Sequence, residues 1–505
     1  MLTVVAAASW ASTLSGTVRV GGIFLDEEGD RSAVQETYDV YDGFVVSRVH
    51  LTGLLDPRSS FMLDLRDINL DSRTGRFSYQ VPRRFRLTAG YDQNRYVFDP
   101  ARGVTSERKD WRVGARFTPG TMLALSGDVG YLTREGERLA FPAGTMGGLG
   151  DRYDNALLTT QLGADVRSGR RGGGVTLRMS SYRDDLNEAA DRTGQVVAAR
   201  LYAPMPFWDR WNNLLRASYG TRKLDDGDLE HTLSTLRYTA ILRPQDAYEL
   251  KYGFDASRVE DDALDNRTDR VVNDFDASWF HRLGRVNAGY GYELNDDDRS
   301  LTSYHSWHAG ASLRPDPRVS ARVDYAGRVK KDEEELTLLK DVESSRIRAK
   351  LEVRPIEALT VGGDFARRER EFPDIDVSVD GTVIGAFGRW DVTGWGAVSA
   401  DYSHSDDEYE NLLAPFETRS HVVTGRVETG RIPRLTLASG VTYLDIRGDL
   451  DIEKSMVFVE GSLKLADRYH LNVKYNVYNY DDYVLIDRYY TANVVRIDLG
   501  YDLRP

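Results

Sequence analysis

Cysteine is absent from all 505 residues. That excludes disulfides, thiolate metal sites and haem attachment through a Cys-x-x-Cys-His motif in this chain. Proline is sparse, at 15, and no Pro-, Ser- or Gly-rich linker divides the chain into the several domains its length would suggest. No run of about 18 apolar residues exists, so no transmembrane helix is encoded. An excess of basic residues is missing too: the net charge of −13 argues against a nucleic-acid binder. The 8 histidines are scattered. His305 and His308 lie close, but a spacing of three on a strand sends them to opposite faces. Asp374, Asp376 and Asp380 in "FPDIDVSVDG" (Phe372 to Gly381) lack the ligand order of a calcium loop and read as a solvated acidic loop. No Gly-x-Ser-x-Gly, phosphate-cradling glycine loop or His-Glu-x-x-His occurs. The chain reads as not an enzyme; a membrane hydrolase built from scattered Ser, His and Asn is the alternative this leaves.

What is present is strict alternation. In "LRPQDAYELKYGFDASRVEDD" (Leu242 to Asp262), Leu250, Tyr252, Phe254 and Ala256 share one parity. Glu249, Lys251, Asp255 and Ser257 share the other. Val319, Ala321, Val323 and Tyr325 alternate with Arg322, Asp324 and Arg328 in the same way. Leu471, Val473, Tyr475 and Val477 alternate with Asn472, Lys474 and Asn476. Val495, Ile497, Leu499, Tyr501 and Leu503 alternate with Arg496 and Asp498. Period two sustained over nine or more residues predicts long β-strands with one apolar and one polar face.

Two kinds of connection alternate between these strands. Short ones carry Pro, Gly or basic residues, as at Arg243-Pro244, Arg314-Pro315 and Arg354-Pro355. Long ones read as acidic loops, such as "LDDGDLE", "VEDDALDNRTD" and "SDDEYENLLAPFE". About 26 strands fit between the marks, with both termini on the short-turn side. Short turns on one rim and long loops on the other predict an all-β fold, an antiparallel up-and-down transmembrane barrel of the bacterial outer membrane. The short turns then face the periplasm, and Asp262, Asp297 and Glu334 lie outside. Aromatic clusters at short turns (Phe207, Trp208 and Trp211; Trp279 and Phe280; Trp390 and Trp395) suit a girdle at headgroup level. Residues 1–12 end in Ser9-Trp10-Ala11 and read as a remnant of a secretory signal. Residues 13–505 read as one barrel, with no residues left for a plug domain.

At about 4.8 Å between strands and a tilt near 40°, such a barrel is roughly 50 Å across, too wide for side chains to fill. The lumen-facing candidates are Glu249, Lys251, Asp255, Arg322, Asp324, Arg328, Asn472, Lys474, Asn476, Arg496 and Asp498. Both signs of charge on that wall suit contact with a folded protein as well as with water. Outside, the barrel would meet lipid and lipopolysaccharide.

"LDLRDINLDSRTGRFSYQVPRRFRLTAGYDQNRY" (Leu63 to Tyr96) resembles the early strands of the decahaem-associated, MtrB/PioB-like outer-membrane barrels of porin–cytochrome electron conduits. The resemblance rests on the "LDSR" hairpin (Leu70 to Arg73) and the following "AGYDQ" strand (Ala89 to Gln93). This chain lacks the N-terminal Cys-x-x-Cys of some members and ends in "DLRP" without a terminal aromatic. The resemblance implies a Gram-negative sheath that houses a multihaem c-type cytochrome in its lumen. It would present that cytochrome to an extracellular one at the outer loops and support extracellular electron transfer. Haem would belong to the partner, with no cofactor in this chain. The alternatives are a large diffusion porin or an export barrel sealed by a different plug protein.

Overall fold

The computed structural model describes residues 13–29, 42–99, 104–138, 151–224, 230–261, 265–298, 300–332, 341–392, 394–410, 415–430, 432–484 and 488–503. The segment read as a signal remnant, and the predicted outside residues Asp262 and Glu334, lie outside these. The first half of the wall is β1 Thr13–Gly29, β2 Gly43–Asp56, β3 Ser59–Arg66, β4 Arg73–Val81, β5 Phe85–Asp99, β6 Val104–Phe117, β7 Leu123–Arg138, β8 Asp151–Ser168, β9 Arg171–Asp184, β10 Arg192–Met205, β11 Trp208–Leu224, β12 Glu230–Leu242 and β13 Tyr248–Asp261. The second half is β14 Asn266–His281, β15 Gly284–Asp297, β16 Ser300–Asp316, β17 Val319–Asp332, β18 Val342–Ile356, β19 Leu359–Phe372, β20 Val377–Val392, β21 Gly396–Glu410, β22 Phe416–Thr429, β23 Leu435–Gly448, β24 Ile452–Lys464, β25 Tyr469–Asp482 and β26 Arg488–Leu503.

All belong to one 26-stranded antiparallel sheet in which each strand pairs with its neighbours in sequence. It closes on itself where β1 pairs with β26, from Gly16 opposite Leu503 to Gly29 opposite Tyr490. Closure satisfies every ladder and leaves no edge, the condition for a sheet in hydrocarbon. The all-β closed barrel expected from the alternation is the fold observed.

The short turns gather at one rim with the ends of the chain's first and last strands. Several are two-residue hairpins, as where Ser168 faces Arg171 and His281 faces Gly284. Gly169 holds the left-handed backbone (φ 59) that the turn after β8 requires. Arg243-Pro244 lies in the β12–β13 connection. Arg314-Pro315 and Arg354-Pro355 are not turn residues, however. They end β16 and β18, and the turns are Pro317-Arg318 and Glu357-Ala358. All three pairs stay on the short-turn rim, and Asp297 ends β15 on the opposite one.

The strands run into several of the predicted acidic loops, whose middles, and nearly all of "LDDGDLE", lie outside the described residues. β13 runs to Asp261, β21 to Glu410 and β15 to Asp297. The sheet therefore continues above the part of the wall that has an apolar face. Asp380 lies on β20, apart from Asp374 in a 3-10 turn and Asp376 after it. The three aspartates do not share a loop.

Register fixes which residues share a face. Tyr252 faces Phe275, Phe275 faces Tyr290, and Tyr290 faces Trp307. This aromatic row is solvent-exposed at 39%, 49%, 49% and 36%, as a lipid-facing surface is when no lipid covers it. Tyrosine hydroxyls on this face bond to a polar side chain on the next strand: Tyr252 to Asn273 at 2.8 Å, Tyr475 to Asn493 at 2.9 Å, and Tyr290 and Tyr402 to His305 and His421. Such rings keep an apolar body in lipid and a polar tip aimed at water. Near the short turns Tyr248 faces Trp279, Tyr469 packs on Tyr501 at 5.0 Å, and Trp208 meets Trp211 edge-on at 6.4 Å. Phe280 departs from the expected girdle. Neighbours on a strand point oppositely, so with Trp279 outside Phe280 faces the lumen, beneath the Arg285 guanidinium. From Tyr248 to Arg258, where outward charge begins on β13, the strand climbs about 25 Å, the height of a barrel's apolar band. The apolar exterior and the closed wall make this chain an integral β-barrel of the outer membrane.

Candidate functional site: the lumen wall

The polar parity forms the concave face. A groove of about 430 Å³ is lined by residues from β1 to β3 and β23 to β26, including Arg19, Arg48, Lys474, Arg496 and Asp498. Only the inside of a cylinder brings the same face of so many strands around one cavity. Pairing carries this parity around the wall, and every lumen-facing candidate falls on it.

Those candidates do not form one site. Asn472, Lys474, Arg496 and Asp498 line the groove at the β1–β26 seam. Arg496 bridges Asp498 at 3.1 Å and Asp67 at 2.8 Å. Asp64 receives Arg48 at 3.2 Å and Arg66 at 3.1 Å. Asn476 is buried higher on β25. There Ile23, Val45 and Val494 form an apolar cluster joined by Leu70 from the β3–β4 connection. That connection, part of the "LDSR" hairpin, joins the two shortest strands of the wall. It continues along β2, with the Asp67 and Ile68 amides donating to the Ser47 and Val46 carbonyls. On β13, Glu249 accepts from Arg243 at 2.8 Å, and Lys251 reaches Asp276 at 3.5 Å. On β17, Arg322 is held by Asp324 and Arg328 by Glu293.

Two arginine rows escape sequence reading. Arg200, Arg216 and Arg237 stand directly opposite one another on β10, β11 and β12. Asp165 takes Arg200 at 2.7 Å, and Asp255 accepts from Arg237 Nε at 2.7 Å. Arg216 between them has no carboxylate partner among the described residues. The second row places Arg346 opposite Arg368. Arg368 pairs with Asp407 at 2.8 Å, and farther along His308 pairs with Asp276 at 2.9 Å. Arg346 again has no ion pair among the described residues, nor do Arg348 and Arg370. This second row borders a concavity of about 790 Å³ that also takes in Arg328, Arg370, Ser306 and Ser344. The local signal was the same-face spacing in Arg346-x-Arg348 and Arg368-x-Arg370. That the residues meet depends on pairing between strands, which the sequence does not display.

His305 and His308 do point to opposite faces, one to the Tyr290 hydroxyl and the other to Asp276. Among the described residues no group of three potential ligands gathers to hold a metal.

Neither a protein-family model nor a curated protein sequence matches the chain. Solved structures do. The FrpB iron transporter from Neisseria meningitidis (F5-1 variant) superposes with a TM-score of 0.54 at 10% identity, covering 97% of this chain and 82% of that one. The siderophore receptor PirA from Pseudomonas aeruginosa does so with a TM-score of 0.50 at 9% identity, covering 97% and 80%. Identity this low establishes a shared fold, the large closed barrel of outer-membrane receptors.

Proposed function

We propose that this chain is a porin-like sheath that houses a multihaem c-type cytochrome and so supports electron transfer across the outer membrane. The observation that carries the reading is the width of a wall whose lumen face is mainly polar, in the lower seam groove, the β13 region and the arginine rows. A lumen roughly 50 Å across needs a separate occupant if it is not to leak, and the wall is read as plugless. A chain of haems must pass about 30 Å of hydrocarbon, and the polar surface of a soluble cytochrome cannot meet lipid. The barrel answers both demands, with an apolar exterior and a polar interior. The resemblance of Leu63 to Tyr96 to the MtrB/PioB-like barrels points the same way. All redox chemistry would arrive with the partner, and the short-turn rim would face the periplasm.

The test is reduction of a trapped, membrane-impermeant dye in proteoliposomes made with barrel, cytochrome or both. The barrel alone should show no haem absorbance and carry no electrons. With its cytochrome it should co-purify and couple an external donor to the internal dye. Arg322→Glu combined with Lys474→Glu should weaken capture while the barrel stays folded. An open pore in every preparation, with no haem protein ever co-purifying from native membranes, would instead establish a diffusion porin.

A further inference from the structure

We infer that the lumen wall is an anion-binding surface, and that the protein it holds presents an acidic, carboxylate-rich face to β10–β12 and β16–β19. This rests on the proposed reading that a folded partner fills the lumen, and it adds the chemistry of that partner's surface.

Like charges directly opposite on neighbouring strands destabilise a sheet. In a wall that only had to be polar, a carboxylate would stand between them. At the seam Arg19, Arg48 and Arg66 also stand in consecutive register, but there Asp64 takes both Arg48 and Arg66, and Arg496 lies between Asp67 and Asp498. The two rows depart from that pattern. Arg200, Arg216 and Arg237 are in consecutive register, and the available carboxylates go to the outer two. Arg346 and Arg368 are in register, and only Arg368 is answered, by Asp407. On the lumen faces of β18 and β19, Arg346, Arg348, Lys350, Arg368 and Arg370 stand against Glu352 and Asp364. The Ser306 and Ser344 hydroxyls border the same concavity as Arg328, Arg346 and Arg370. Guanidinium forks with hydroxyls beside them match the geometry of carboxylates, which take paired N–H donors. The chain as a whole is acidic, at −13, so the basic rows are a local arrangement and not a reflection of bulk composition. A basic wall at close quarters also steers an acidic partner into the lumen.

Single-channel recording of the purified full-length barrel tests this. Salt near 10 mM is the right condition, because screening then reaches about 30 Å and the wall governs the ions. In a KCl gradient the reversal potential should lie on the chloride side of zero. Polyglutamate should block the current, and polylysine of equal length should not, each being tried from both sides because the acidic rim opposes entry of the first. The Arg216→Gln/Arg346→Gln/Arg370→Gln variant should move the reversal potential toward potassium and raise the blocking concentration of polyglutamate about tenfold. The wild-type comparison of the two polymers needs no variant, and Arg370→Gln alone should give a smaller shift if the triple variant fails to fold. Block by polylysine in preference to polyglutamate, or equal polyglutamate block of wild type and variants, would overturn the inference. Such a result with a haem protein still co-purifying would leave the conduit standing and remove only the acidic face.

Discussion

The lower part of the wall and the collar above it are built from the same strands by the same ladder, yet their outer faces obey opposite rules. On β22 the outward residues near the short-turn rim are Val427, Gly425 and Val423, and toward the far rim they become His421, Arg419 and Glu417. On β14 the change runs from Trp279, Ala277 and Phe275 to Asp269 and Arg267. In the lower band an outward side chain must be soluble in hydrocarbon. In the collar it is free to be charged, and ion pairs along and across the strands fill the face: Arg258 and Arg267 with Asp269, Arg367 with Glu369 and Asp380, and Arg447 with Asp445 and Glu453. The ladder ignores this change because backbone hydrogen bonding does not depend on what the side chains face. The bilayer edge is therefore written in side chains and not in secondary structure.

The sharpest break of that comparison is all-or-none. The chain has no thiol of its own, so single cysteines report without background. Asp297→Cys should be labelled on whole cells by an impermeant reagent. Arg243→Cys, Arg314→Cys and Arg354→Cys should stay dark until the outer membrane is permeabilised. The reverse pattern would turn the barrel upside down and put the collar in the periplasm.

Next in size is a charge placed in the band. Val423→Arg lies within the apolar stretch of β22, and the loss of folding free energy should be about 2–4 kcal/mol. Leu250→Arg stands only two positions above Tyr248 at the short-turn border, where the same charge should cost about 0–1 kcal/mol. Urea titrations in lipid vesicles, followed by tryptophan fluorescence, would separate the two. Equal losses at both sites would mean that the band is misplaced along the strand.

The division also explains what the sequence could reveal. Band strands announce themselves because one parity is greasy: Val495, Ile497 and Leu499 against Arg496 and Asp498 needs no partner to be read. Parity alone was enough to put Lys251, Arg322 and Lys474 on the lumen face. Collar strands lose that contrast, since Asp406 and Asp407 or Arg258 and Glu260 are polar whichever way they point, and such stretches read as acidic loops. The arginine rows were hidden for a different reason. Arg200, Arg216 and Arg237 become neighbours only through the registers of two hairpins, and a one-residue slip would turn each of them to lipid.

The smallest effect belongs to the collar and tests whether its ion pairs hold the sheet together or merely suit water. Asp269 accepts from Arg258 Nε at 2.7 Å and also pairs with Arg267, and all three side chains are partly exposed. Exposed pairs trade a modest Coulomb gain against the entropy of fixing two long side chains, and salt screens what is left. Asp269→Asn should therefore lower stability by only about 0–1 kcal/mol at low ionic strength, and the difference from wild type should vanish near 1 M salt, where screening acts within about 3 Å. The same urea titration, run at low and at high salt, reads both quantities. A loss as large as that of Val423→Arg, persisting in high salt, would show that this part of β13 and β14 sits in a low-dielectric surrounding. The membrane border would then have to be moved upward, past Arg258, and the collar on these strands would become part of the band.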